Sequence, residues 1–129
     1  PVIEHLLALI APVCPAYDGP PTAPSPGLVP AVPEGPHVIV WGGTPQPVYQ
    51  TLTHEHVRTN HFVQLVCVNN SPAGARAVAD LVTRAVDGMS YNSTSRYEVT
   101  YATPPIQDRS DPTEWCWTVT VELELTIAR

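Results

Sequence analysis

The sequence predicts an α+β fold, a two-layer arrangement in which a mixed or antiparallel β-sheet carries two α-helices packed on one face. Three observations predict it. Trp115, Trp117, Val119, Val121, Leu123, Leu125 and Ile127 alternate with Cys116, Thr118, Thr120, Glu122, Glu124 and Thr126, the period of two that marks a half-buried strand. Ser71 as N-cap, Pro72 at the first helical position and Gly88 past the last turn frame a segment whose Ala75, Val78, Ala79, Val82 and Val86 share one helical stripe. Val2, Ile3, Leu6, Leu7 and Ile10 repeat helical spacing on a shorter scale, so 2–11 reads as an amphipathic helix that Pro12 ends.

The remaining elements follow in chain order. Val13 to Tyr17 has room for a brief edge strand. Nine prolines fall from Pro12 to Pro36 inclusive, leaving few amides for a ladder, so 20–36 is a proline-rich loop or arm that favours extended polyproline II conformations. Such a segment loses little entropy on docking, which makes Pro24, Pro26 and Pro30 candidate interface residues. His37 to Trp41 is a β-branched strand left through Gly42-Gly43. Tyr49 to His56 and Val57 to Asn69 read as a hairpin or a long bent strand pair. The nearly continuous apolar run Phe62 to Val68 suits a central strand covered on both faces. Arg76, Asp80 and Arg84 are spaced for i,i+4 ion pairs on the second helix. Tyr91 to Arg96 reads as a loop, Glu98 to Thr103 as a strand and Pro104 to Pro112 as a connection. The last strand, Trp115 to Ile127, is roughly 40 Å long at ~3.3 Å per residue, so its end is expected to project beyond a compact domain. No internal repeat is present, and 1–129 reads as a single domain.

Composition narrows the classes of function. A chain of 129 residues buries roughly two-thirds of its unfolded surface, enough for a real core. Its longest apolar runs fall short of the ~20 residues a membrane helix needs. The opening run carries Glu4 and no basic residue, unlike a secretory signal, so an intracellular product is expected. Three cysteines at wide spacing, Cys14, Cys67 and Cys116, encode neither a disulfide framework nor a zinc knuckle. The net charge is −6, and all six basic residues are arginines dispersed along the chain. Gripping nucleic acid requires a concentrated basic face, which this distribution does not supply.

Residues suited to catalysis are sparse. His54 and His56 flank Glu55, and His61 returning along a hairpin would complete a three-histidine metal site. The spacing departs from the zinc-protease pattern because Arg58 follows Val57, and a polar hairpin surface accounts for the histidines better than a metal site does. Ser90, Ser93 and Ser95 lack a nucleophile elbow, and Cys67 and Cys116 fall in apolar strands where thiols are packing groups. Gly42-Gly43 precedes no lysine and no helix, so it is a turn and not a phosphate loop. Glu122 and Glu124 share a strand face and read as solvated residues. Trp41, Trp115 and Trp117, with Tyr49, Tyr91, Tyr97 and Tyr101, serve either the core or an interface. The expectation is a protein that is not an enzyme and carries no cofactor.

The layout is similar to one family, the tail terminator or tail-completion proteins of long-tailed bacteriophages. The resemblance rests on the opening helix Val2 to Ala11, the strand approach Val32-Pro33-Glu34-Gly35-Pro36-His37-Val38-Ile39-Val40, and the strand Phe62 to Val68. The helix Ser71 to Asp87, with its Ala-x-x-Val-Ala-x-x-Val-x-x-Ala-Val-Asp-Gly ending, and the terminal strand Trp115 to Ile127 complete it. It implies a homo-oligomeric ring, commonly a hexamer, seated on the tail tube. Such a ring stops tail growth, meets the head-neck connector or stopper protein, and lets DNA pass without specific binding. It also implies a virion location in the tail or neck after assembly in the host cytoplasm, with no membrane partner. Glu122 and Glu124 then become candidate lumen-facing residues, since negative walls repel phosphate. Tyr49, Trp115, Trp117 and the proline segment become candidate interface residues. The segment Pro20 to Pro36 departs from the family pattern. The competing readings are another neck or minor tail component of the same fold, a small metal-binding or enzymatic domain using His54, His56 and His61, and a monomeric adaptor that binds through its prolines.

Overall fold

A computed structural model describes residues 2–19, 35–42, 46–49, 56–108 and 116–128. Their order is α1 (Val2–Ile10), β1 (Ala16–Asp18), β2 (His37–Gly42), β3 (Gln46–Tyr49), β4 (His56–Asn69), α2 (Pro72–Val86), β5 (Tyr97–Ala102), β6 (Ile106–Asp108) and β7 (Cys116–Ala128). The strands form one seven-stranded sheet, ordered β1-β2-β4-β7-β5, with β3 beside β4 and β6 beside β7. Only the β1–β2 pair is parallel among the described strands, so the sheet is mixed, as expected.

The two long strands are its spine. β4 and β7 pair antiparallel in continuous register from Arg58↔Ala128 to Asn69↔Trp117. The expected projection of the last strand does not occur, because β4 is long enough to accompany β7 along its length. Val63, Leu65 and Cys67 of β4 and Val119, Val121, Leu123 and Leu125 of β7 are buried together under the helices. The run Phe62 to Val68 is therefore not covered on both faces: Phe62 is 42% exposed and Gln64 is exposed, whereas Val63 and Leu65 are buried. Its apolar continuity hides an alternation. A second departure lies in the expected connection after Pro105, where Ile106–Asp108 adds a short strand to β7.

The nine-residue helix α1 is too short to persist alone and depends on docking. Leu6 and Ile10 are fully buried, each contributing roughly 2–3 kcal/mol relative to an exposed side chain. Beyond Pro12 the Cys14 N–H donates to the Ile10 carbonyl at 3.0 Å, and the Val38 N–H donates to the Pro15 carbonyl at 2.9 Å, tying α1 to the sheet through β1. The Tyr97 hydroxyl lies 2.8 Å from His5 Nδ1, a second tie between α1 and β5. Helix α2 begins as its sequence requires, with Ser71 Oγ accepting from the Gly74 N–H at 2.9 Å. It ends at Asp87, followed by Gly88 at φ 74°. On its outer face Arg84 pairs with Asp80 at 3.0 Å, an exposed contact worth a few tenths of a kcal/mol.

Candidate functional site

Both helices lie on one face, and no helix among the described residues covers the opposite face of the sheet. Register places Trp41 beside Gln64, Gln64 beside Glu122 and Glu122 beside Tyr101 in one row across four strands. The next row holds Phe62, Glu124 and Glu98. Ile39, Val66 and Thr120 form a third, half-buried row above them. Trp41 is 46% and Tyr101 54% exposed. The surface around Glu122 and Glu124 is thus acidic with an aromatic rim; Arg76 and Arg84 lie on α2 and Arg96 beside Gly88 at its end, while Arg58 takes a register position near the start of β4, two rows beyond Phe62.

A bulge shapes this surface. Between Val99 and Tyr101 the register of β5 against β7 shifts, and the Thr100 hydroxyl donates to the Glu122 carbonyl at 3.3 Å. Beside it lies a concavity of about 310 Å³ lined by Trp41, Phe62, Gln64, Thr100 and Glu122. Gln64 Nε2 donates to Glu122 Oε1 at 3.4 Å, which leaves most of the carboxylate's acceptor capacity unused within the described residues. Lower on the face, the Thr126 hydroxyl lies 3.0 Å from Asn60 Oδ1 and 3.5 Å from Glu124 Oε1. Glu98 and Glu124 stand directly opposite one another across β5 and β7, an arrangement that costs stability.

A second concavity, about 390 Å³, lies between the start of α1 and the sheet, with Val2, Ile3, Asp18, His61, Val63 and Tyr91 in its wall. Burial holds the His61 imidazole below its usual pKa, so the neutral ring is favoured there. His56 and His61 lie five residues apart on the one strand β4, so the hairpin return needed to bring them together on a metal does not occur. His54 lies outside the described residues, among which no group of three metal-type side chains converges. Burial also pushes the Cys67 thiol up to about 12, with Cys14 adding to the effect, and the Cys14 thiol is raised as well. Both are buried packing groups.

The other expected residues distribute unevenly. Glu122 and Glu124 lie on the helix-free face. Trp117 is half-buried on the opposite face, packed against the core, and Tyr49 falls in β3. Pro24, Pro26, Pro30 and Trp115 lie outside the described residues. The members that sequence reasoning missed are Phe62, Gln64, Thr100 and Glu98. The signal for the first two was present in β2, where buried Val38 and Val40 alternate with Ile39 and Trp41 and sit in register with Cys67 and Leu65. The bulge at Thr100 has no residue signature.

Comparison with solved structures finds a chain of the virion of a native gene transfer agent (GTA) particle, with a TM-score of 0.55 and 15% sequence identity, over 96% of this chain and 84% of that one. The likeness is one of fold. No protein-family model and no curated protein sequence matches the chain.

Proposed function

We propose that the chain is a structural protein of a phage-like virion, a ring-forming tail terminator that caps the tail tube and joins it to the head-neck connector. The observation that carries this reading is the fold shared with a GTA virion chain over 96% of the sequence. Fold alone is compatible with many activities, so the reading also draws on the surface. A sheet with one face free of helices and an aromatic rim suits protein contact, and dispersed arginines suit a passage that does not hold DNA. In this reading residues 1–129 act as one domain and perform no catalysis. The 20–36 segment, with Pro24, Pro26 and Pro30, reaches a neighbouring subunit, alongside Tyr49, Trp115 and Trp117. Glu122 and Glu124 are the residues proposed to face the lumen.

Light scattering on the purified chain, with and without its tail-tube protein, tests the proposal. A mass of about six copies, alone or only on the tube, is the expected result. A monomer under both conditions overturns it. Another neck component of the same fold would instead assemble on the connector and ignore the tube. Reversing the charge of Glu124 tests the lumen assignment: DNA passage should slow in particles that still assemble, and unchanged passage would remove Glu124 from the lumen wall.

A further inference from the structure

The concavity on the helix-free face has the chemistry of a cation seat. Trp41 and Phe62 offer aromatic surface, Glu122 offers a carboxylate whose described partner is Gln64 alone, and Thr100 also lines the concavity. An aromatic wall beside a carboxylate favours a planar guanidinium, which stacks on the ring while its N–H groups meet the oxygens. All the basic residues of this chain are arginines. Of those whose side chains are described, Arg84 is engaged by Asp80 and Arg96 donates to the Gly88 carbonyl at 3.0 Å. Arg76 is exposed and has no ion pair among the described residues. It sits on the outward arc of α2 with Ala77 and Leu81, the latter 45% exposed.

From this pairing of surfaces we infer that Arg76 of one copy docks in the concavity of the next, with Leu81 covering the Trp41 and Phe62 rim. The arc carries Arg76, the Asp80–Arg84 pair, whose charges cancel, and Leu81, so its unbalanced charge is that of Arg76; it lies on the helix layer, and the concavity with Glu122, Trp41 and Phe62 lies on the opposite face of the same molecule. A single copy cannot join the two, and a two-fold dimer leaves the match unused. The contact is heterologous, and repetition closes it into a ring when the rotation permits. This inference rests on the ring-forming reading and revises one assignment within it: Glu122 moves from the lumen wall to the subunit boundary, and Glu124 with Glu98 is left for the lumen.

Charge exchange tests the contact. Sedimentation velocity under the conditions in which the wild-type chain assembles should show Glu122→Arg and Arg76→Glu each weakening self-association at least about tenfold. The double variant should recover most of it, and Glu122→Gln should give an intermediate loss. Thermal melts establish that each variant is folded. Assembly unchanged in both single variants, or a folded double variant that stays dissociated, overturns the contact while leaving the ring reading in place. A wild-type chain that is monomeric with and without the tail tube overturns both, so the two failures are distinguishable.

Discussion

Asp87 Oδ1 accepts a hydrogen bond from the Val99 N–H at 3.1 Å, so the residue that ends α2 also closes the outer edge of β5. The neighbouring Gly88 N–H donates to the Tyr97 carbonyl at 2.8 Å, and the Tyr97 N–H donates to the Met89 carbonyl at 3.0 Å. Together these bonds occupy edge groups that would otherwise offer a template for another strand. Asp87→Ala is expected to cost about 1–2 kcal/mol, since it leaves a sheet amide without its acceptor. Asp87→Asn keeps an acceptor oxygen and should cost less. Urea denaturation of the two variants, with hydrogen exchange at the Val99 amide, checks the ordering.

Glu98 and Glu124 oppose each other across β5 and β7. Relieving that repulsion should stabilise the fold: Glu98→Gln by a few tenths of a kcal/mol, and Glu98→Lys by ~0.5–1 kcal/mol. The gain should shrink in ~0.5 M salt, where charges on an exposed face are screened. Denaturation midpoints at low and high salt read it directly.

Stability should fall on the alkaline side. Burial, with a smaller contribution from Tyr91, raises the Tyr97 phenol above its ordinary value, and burial raises the Cys67 thiol to about 12. In the unfolded chain the same groups ionise from about pH 8.5 for the thiol and 10 for the phenol. A group whose folded pKa is raised gives its full contribution below the unfolded value and loses it as pH climbs toward the folded one. Melting temperature is therefore expected to be level from pH 7 to about 8.5 and to drop progressively above it. Cys67→Val and Tyr97→Phe should each flatten part of that drop, although Tyr97→Phe also loses the bond to His5 and starts from a lower value.

Gly42 sits beneath α1. A Cβ there would lie 2.7 Å from Ile3 Cδ1, the end of a flexible side chain. Gly42→Ala should therefore be absorbed by a rotation of Ile3. Gly42→Val has no such room and should cost ~1–3 kcal/mol by overpacking. Faster hydrogen exchange confined to α1 would identify the helix as the part displaced.

Much of the fold is legible because period and caps agree. The alternation of β7 survives intact in its sequence, and Ser71, Pro72 and Gly88 frame α2 within a residue of its observed bounds. Phe62 and Val66 mislead because they are apolar on a face that carries no helix, so β4 imitates a strand buried on both sides. The strand Ile106–Asp108 is hidden among prolines, and its pairing is set by where β7 passes and not by its own residues. The candidate surface was half legible. Glu122 and Glu124 follow from alternation along one strand, whereas their meeting with Trp41, Phe62 and Glu98 depends on register between strands distant in sequence. No local pattern encodes that register.

The uninterrupted ladder between β4 and β7 also has a mechanical meaning. A pull directed along β7 would load its rungs from Arg58↔Ala128 to Asn69↔Trp117 in shear, so they must yield together. A pull across the sheet on β6, held by pairs from Ile106↔Thr118 to Asp108↔Cys116, would open them one at a time. The molecule is therefore stiff along the axis of its spine and yielding at its margin. A subunit built this way withstands tension best when that axis is aligned with the force it has to transmit.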